Sequence, residues 1–327
     1  MKAIIYTEYG QPEVFQLKEI EKPAPKENEV LIKVYAASIN SYDWRLLTAS
    51  PFLVRLMGGG FLKPKNTILG ADVAGRVEAV GKNVTKFKPG DEVFGDLAVS
   101  GGGGYAEFVC ASENVLALKP ANATFEEAAS IPMAAITALQ GLRNMGNIQK
   151  GQKVLIHGAS GGVGSFAVQI AKSFGAEVTA VCSTRNMDRI CTLGADFVID
   201  YTQEDFTKNG QLYDLILGAN GFRSIFKYKH ALKPNGIYIM TGGSMAQMFQ
   251  ALLLGSLISM TGKKKMVSLT TKPNPNDLVF LKELIEAGKV KPIIDRLFKL
   301  SEVPEAFRYY EKEHARGKIV ITVEQKI

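Results

Sequence analysis

Residues 154–164 read Val154-Leu155-Ile156-His157-Gly158-Ala159-Ser160-Gly161-Gly162-Val163-Gly164. An apolar run that enters a glycine turn and leaves it as an apolar-periodic segment reaching Phe174 predicts a buried strand, a tight turn and a helix. Glycines in such a turn let the backbone approach a pyrophosphate, whose charge sits at the helix N-terminus. The dinucleotide fingerprint G-x-G-x-x-G fits only with Ala159 in its first place, followed by Gly161 and Gly164. Glycine-rich turns of this kind also arise for packing alone, and it is the surrounding βαβ pattern that favours nucleotide binding.

Working outward, strands are expected over 153–157, 177–182, 197–199, 215–217 and 237–240, with helices over 164–174 and 186–193. This alternation predicts an α/β unit with a parallel sheet covered on both faces. Upstream, 125–142 has helical spacing, opened by Thr124 with Glu127 three residues on as a capping box. The first 120 residues read instead as short strands, among them 3–6, 29–34 and 74–80. Turns such as Lys22-Pro23-Ala24-Pro25 and Lys88-Pro89-Gly90-Asp91 separate them. After Thr271 one helix (277–287) and a closing strand (317–323) are expected. The expected organisation is therefore a mostly-β domain over 1–121, a doubly wound parallel-sheet domain over 122–270, and a return segment over 271–327.

The strand over 177–182 leads into Ser183-Thr184-Arg185-Asn186. An NAD site carries Asp or Glu at this strand end, about 20 residues past the glycines, to bind the ribose hydroxyls. No carboxylate stands there to repel a 2′-phosphate, and Arg185 suits one through charge-assisted hydrogen bonds. The plainer reading of Arg185 is an exposed arginine at a helix start. NADPH is the expected cofactor.

The 327 residues include 46% hydrophobic and 22% charged side chains, an ordinary globular mix that excludes disorder and collagen. At roughly 150 residues per domain two domains are expected. Cys110, Cys182 and Cys191 have neither disulfide-framework nor metal-ribbon spacing; they read as reduced thiols in a cytoplasmic setting, two of them buried. Lys and Arg exceed Asp and Glu by 7, spread along the chain, which suits an anionic small molecule better than nucleic acid. Met1 to Tyr9 alternates like a strand rather than a signal peptide, and no run of about 18 apolar residues spans a membrane.

Several ordered blocks resemble the medium-chain dehydrogenase/reductase superfamily, in its zinc-independent quinone oxidoreductase branch. They include Asn40-Ser41-Tyr42-Asp43, Gly70-Ala71-Asp72-Val73-Ala74-Gly75, Pro89-Gly90-Asp91-Glu92-Val93-Phe94-Gly95 and Gly104-Tyr105-Ala106-Glu107, then the glycine turn and Val198-Ile199-Asp200-Tyr201. The closing His314-Ala315-Arg316-Gly317-Lys318 resembles reticulon-interacting mitochondrial oxidoreductases and chloroplast-envelope quinone oxidoreductase homologues. The resemblance implies a GroES-like β domain beside a Rossmann domain, an active site in the cleft between them, and a homodimer. It also implies that Ser160, Gly161, Gly162, Val163 and Gly164 meet the pyrophosphate, and that Ser183, Arg185 and Tyr201 surround the 2′-phosphate. Thr241, Leu269 and Thr271 would line the nicotinamide side, while His314, Ala315 and Arg316 would reach over the cofactor.

Zinc-dependent relatives have a cysteine near position 40 and a His-Glu pair near position 71, where this chain has Asn40-Ser41 and Ala71-Asp72. No metal site is expected. Without a Lewis acid the acceptor must itself be electrophilic, which points to a quinone or an α,β-unsaturated carbonyl. Asn40, Tyr42, Asp43 and Arg45 are the candidates for contacts with it, Tyr42 as a proton donor; Asp43 and Arg45 read equally as a structural ion pair. The apolar stretch 249–260, followed by Lys263-Lys264-Lys265, and the apolar loop 51–62 read as a pocket cap or dimer contact, or as a peripheral membrane contact. A non-catalytic NADPH-binding sensor is the alternative from another functional class.

Overall fold

The computed structural model describes residues 1–52, 54–55, 60–243, 250, 254–255, 258–260, 262–313 and 315–324. The chain forms two compact units: Met1–Met133, Pro273–Glu286 and Pro292–Ile327 make the first, and Ala134–Lys272 with Ala287–Lys291 the second.

The first unit opens with β1 (Lys2–Ile5), β2 (Gln16–Glu19), β3 (Glu29–Ser38), β4 (Asp72–Val80), β5 (Glu92–Asp96), β6 (Phe108–Ser112) and β7 (Leu116–Leu118). Val30, Ile32 and Val34 of β3 are fully buried at alternate positions, and Leu31 and Ala37 between and beyond them are buried as well. Helix α1 (Ser41–Thr48) follows β3, a helix that the β-rich pattern did not suggest. Helix α2 (Phe125–Ala129) also belongs here, because Phe125 stacks on Tyr35 of β3 with ring centroids 4.3 Å apart. The unit therefore runs past position 121 to Met133.

The helix expected over 125–142 is broken. Ser130 Oγ donates to the Glu127 carbonyl at 2.6 Å, and Pro132 disfavours the helical conformation at Ile131. The chain restarts as α3 (Pro132–Leu139) and continues into a π-helical turn, Gln140–Met145.

The second unit holds β8 (Lys153–His157), α4 (Gly162–Ser173), β9 (Glu177–Cys182), α5 (Met187–Thr192), β10 (Phe197–Asp200), β11 (Tyr213–Gly218), α6 (Ile225–Ala231), β12 (Leu232–Met240) and β13 (Lys265–Ser268). Its six strands pair in parallel in the order β10-β9-β8-β11-β12-β13. Val154, Leu155 and Ile156 are fully buried, as a central strand covered on both faces requires. Strand order reverses between β8 and β11, the place where such sheets bind dinucleotides. Two glutamines close the unit. Gln140 exchanges hydrogen bonds with the Lys272 carbonyl (2.7 Å) and amide (3.1 Å), and Gln169 does the same with Lys291 (3.0 and 2.8 Å).

The return segment is richer than one helix and one strand. It contains α7 (Pro275–Glu286), β14 (Ile294–Lys299), α8 (Val303–Lys312) and β15 (Lys318–Thr322). The two strands complete a seven-stranded sheet in the order β14-β15-β3-β4-β5-β7, with β6 also paired to β3. Phe307 of α8 anchors the core against Phe15, Tyr105 and Trp44, at ring distances of 4.9, 5.9 and 6.2 Å. All three cysteines are free, and only Cys182 is buried rather than the two expected; Cys110 is half-buried and Cys191 exposed. No described helix is long and apolar enough to cross a membrane.

His157, the last residue of β8, is buried with Nδ1 2.6 Å from the Tyr228 hydroxyl and its ring edge-on to Phe206. Burial, with the nearby Arg223, pushes its pKa down to about 4 from an ordinary 6.5. The unfolded chain therefore binds the proton first, and the stability this imidazole contributes is whole above about 6.5 and lost as the pH falls toward about 4. Denaturant melts followed by far-UV circular dichroism should show the second unit weakening across that window, and His157→Gln should remove the slope.

Candidate active site

At the end of β8 the chain turns through Gly158 at φ +83°. A Cβ there would lie 2.7 Å from the Asn220 backbone, and one on Gly164 would lie 2.1 Å from the Gly158 oxygen. Both glycines are demanded by the protein's own packing. Gly161 is different. It caps α4 in extended conformation (φ −80°, ψ 177°), and an added Cβ would meet nothing nearer than the Gly158 oxygen at 3.8 Å. The space beside it is open to at least a methyl group. The amides of Gly162 and Val163 open the first turn of the twelve-residue α4, where helix geometry and dipole favour an anion. Ser160 and Val163 are half-buried at the same turn. These residues fit a dinucleotide pyrophosphate.

At the far side of this edge, β9 ends at Cys182, which pairs with Asp200 of β10. The Tyr201 amide donates to the Cys182 carbonyl at 3.1 Å, so the segments that carry Ser183, Arg185 and Tyr201 leave adjacent strand ends. Arg185 and Tyr201 are exposed and Ser183 is half-buried. The Ser183 hydroxyl accepts Asn186 Nδ2 at 3.0 Å, and Asn186 Oδ1 accepts Arg189 Nη2 at 3.1 Å. Arg189, one helical turn beyond Arg185, is a cation the sequence reading missed. That reading also found no carboxylate here, and the structure corrects it. Asp200 Oδ2 accepts the Thr184 hydroxyl, and Oδ1 accepts the Thr202 amide and hydroxyl at 2.9 and 2.8 Å. The Thr184 hydrogen bond holds the Asp200 carboxyl below the usual carboxylate range.

The other strand ends line up with the glycine turn. Gly218 pairs with His157, Met240 with Gly218 and Ser268 with Met240. Thr241 donates through its amide and its hydroxyl to the Gly218 carbonyl (2.9 and 3.2 Å), and the Leu269 amide donates to Met240 (2.9 Å). The Thr271 and Thr137 hydroxyls are 3.0 Å apart. A Cβ on Gly141, in the π-helical turn, would lie 2.6 Å from Leu217, 3.5 Å from Thr241 and 3.8 Å from Leu269. Thr241, Leu269 and Thr271 thus gather at the ends of adjacent strands, and π-helical turns recur at functional sites.

In the first unit, two of the four proposed acceptor contacts are committed to the interior. Asn40 donates through Nδ2 to Asp72 at 2.9 Å and accepts the Lys318 ammonium. Lys318 also donates to the Ile39 carbonyl (3.1 Å) and lies 3.4 Å from Asp72. Asp72 further accepts the Ser38 hydroxyl and the Met133 amide, both at 2.9 Å. Asp43 is fully buried and accepts the amides of Asn40, Gly70 and Ala71 at 2.9, 3.0 and 3.1 Å. Among the described residues no ion pair joins it to Arg45. Burial and the Asp72 charge raise its pKa to about 7, so its contribution to stability is present below about 4 and lost as the pH rises through about 7. Asp96, buried near the same charges, is raised for the same reasons.

Tyr42 and Arg45 are half-buried on α1. The Tyr42 hydroxyl donates to the Ala98 carbonyl at 3.0 Å, and burial lifts its pKa to about 12. Gly317, at φ +146°, fixes the turn into β15 behind the half-buried Ala315 and exposed Arg316. His314 lies outside the described residues, as does much of the 249–260 stretch, of which Ile258 is buried and Met260 exposed. In the 51–62 loop Phe52 and Phe61 meet edge-to-face at 5.9 Å, and both are exposed, as is Leu62.

The two kinds of glycine predict opposite phenotypes. Gly161→Ala should melt like the parent yet lose nucleotide binding in a fluorescence titration. Gly164→Ala should lower stability by about 3 kcal/mol in a denaturant melt, because backbone faces the new methyl.

Residues 26–121 match the alcohol dehydrogenase GroES-like domain family, and residues 193–321 match the zinc-binding dehydrogenase family. The chloroplast envelope quinone oxidoreductase homolog of Arabidopsis thaliana is 37% identical over 98% of both chains. The 2-methylene-furan-3-one reductase of Solanum lycopersicum is 36% identical over 98% of this chain and 79% of its own. The solved quinone oxidoreductase of Coxiella burnetii superposes with a TM-score of 0.88 at 32% identity, covering 99% of each chain. Likeness of this extent joins the GroES-like and Rossmann units to a nicotinamide cofactor. The chain belongs to the medium-chain dehydrogenase/reductase superfamily, in its quinone oxidoreductase branch, and is an NAD(P)H-dependent oxidoreductase.

Proposed function

We propose that this oxidoreductase uses NADPH, works without zinc, and reduces a quinone or an α,β-unsaturated carbonyl. The observation that supports the cofactor choice is that Ser183-Thr184-Arg185-Asn186 follows β9, where an NAD site has its acid, with Tyr201 leaving the neighbouring end of β10. Arg185 and the Ser183 hydroxyl supply charge-assisted hydrogen bonds to a 2′-phosphate. The Arabidopsis and tomato relatives are named for a quinone and for an enone, which supports these two acceptor classes.

The donor set does not fit zinc, although one matching family is described as zinc-binding. Asn40 is an amide already bonded through both of its ends, and Asp72 is held by donors that include the Lys318 ammonium. A fixed cation beside both residues repels a second one. Among the described residues no three His, Cys, Asp or Glu side chains gather as a metal-ligand set.

When bound, the nicotinamide supplies a hydride, and an electrophilic acceptor delocalises the resulting charge onto its oxygen. Pyrophosphate binding falls to the Ser160–Gly164 turn, and Thr241, Leu269 and Thr271 serve the nicotinamide side. Tyr42, protonated throughout the neutral range and donating to the Ala98 carbonyl, is the hydroxyl on α1 assigned as proton donor, a role for which it must leave that carbonyl. The free thiols support a reducing, cytoplasm-like setting.

Two measurements test this reading. Arg185→Ala should weaken NADPH by about 1.5–3 kcal/mol, the range for hydrogen bonds to charged groups, and leave NADH nearly unchanged; equal losses for both would show the phosphate site misplaced. Metal-free protein should consume NADPH with a quinone or with a long-chain enone. Saturated ketone from the enone identifies carbon–carbon double-bond reduction, and quinone turnover alone identifies a quinone reductase. Tight NADPH binding with no turnover of either would replace the reading with a non-catalytic sensor.

A further inference from the structure

We propose that Arg55 binds an anionic group of the acceptor, so that the quinone or enone this protein reduces carries a carboxylate or phosphate on an apolar body. The inference rests on the acceptor reading above and names a class of substrate within it. The loop that holds Arg55 begins and ends at residues of the candidate site. It leaves from α1, the helix of Tyr42, and returns at Gly70 and Ala71, whose amides donate to Asp43.

The Arg55 guanidinium lies over the Tyr9 ring at 4.7 Å and the Phe52 ring at 5.4 Å. Its backbone is pinned too: the amide donates to the Phe52 carbonyl at 3.0 Å, and the carbonyl accepts the Gly60 amide at 3.2 Å. The Tyr9 hydroxyl closes this circuit by donating to the Gly60 carbonyl at 2.6 Å. Aromatic faces hold a guanidinium by its plane and leave its N–H edge to a planar anion. Here that edge is unused. Nε is buried without a hydrogen-bond partner, and among the described residues no carboxylate is within ion-pair distance of the guanidinium. A buried donor without a partner is costly to keep.

The sequence supplies no partner either. Between Asp43 and Asp72 the chain carries Arg45, Arg55, Lys63 and Lys65 and not one acid. Asp43 and Asp72 themselves are buried and already bonded. Glu8, beside Tyr9, is exposed and joins no ion pair among the described residues. Cations of one sign with no internal partner draw anions to their loop. The same loop exposes Phe52, Phe61 and Leu62, which suit an apolar body. A neutral acceptor would use only this apolar surface, whereas the guanidinium fork matches the paired oxygens of a carboxylate or phosphate.

The test titrates the full-length protein by calorimetry with decanoate, decyl phosphate and decanol. Each is also assayed as an inhibitor of whichever acceptor, quinone or enone, the protein reduces. At least one anion should bind about tenfold tighter than decanol, the scale of one hydrogen bond to a charged group, and should compete with the acceptor. The tighter of the two identifies the group as carboxylate or phosphate. Arg55→Gln should abolish the preference and leave decanol affinity as in the parent, and Arg55→Lys, which keeps the charge without the fork, should fall between. A parent with no preference, an anion that does not compete with the acceptor, or a preference that survives Arg55→Gln would overturn the inference. Equal weakening of all three probes by Arg55→Gln would make Arg55 a packing residue and overturn it as well. A parent that reduces neither a quinone nor an enone is recognised in the uninhibited assay, and would overturn the acceptor reading and this inference together.

Discussion

The start of α4 lies so near the end of β8 that one methyl group at Gly164 would sit 2.1 Å from the Gly158 oxygen. That approach fixes where the helix begins, and hence where its unpaired amides and positive end point. It also fixes which strand end serves as reference for the rest. His157, Gly218, Met240 and Ser268 stop at successive register positions across four strands, so the segments after them emerge side by side. The turn beside Gly161 is then free to serve a ligand, because packing has already been satisfied at Gly158 and Gly164.

The first unit is tied together by a polar contact instead. Lys318 lies 278 residues from Asn40 and 246 from Asp72, yet its ammonium reaches both in the interior. A buried charge is expensive to desolvate, and removing one partner of such a pair typically costs about 3–5 kcal/mol. The same contact gives the returning strand β15 a defined seat: its first residue is locked to the N-terminus of α1 while the strand pairs with β3. Side chains that read as substrate contacts are used up in this lock.

Much of the second unit was legible because parallel strands covered on both faces are written as unbroken apolar runs, and because glycine marks the turn. What sequence withheld was chiefly spatial order. Asp200 belongs beside Thr184 only because β10 lies next to β9, and nothing local announces that pairing. Asn40 and Asp43 read as candidate acceptor contacts, since the Lys318 ammonium and the Gly70 and Ala71 amides that engage them come from distant segments. Helix α1 was lost inside a β-rich regime. Its Asn40 N-cap and Asp43 three residues on form the local signal that was there to be used. The break at Ser130 was equally readable from Pro132.

The two units carry opposite acid responses, Asp43 favouring the folded state at low pH and His157 at high pH. Which unit is the weaker one therefore depends on the buffer, and unfolding need not be a single cooperative event across the pH range. The chain has one tryptophan, Trp44, and it lies in α1 against Phe307 and Tyr310. Its emission watches the first unit alone. A melt followed by that signal in mild acid would report an intact protein while the nucleotide-binding half was already coming apart.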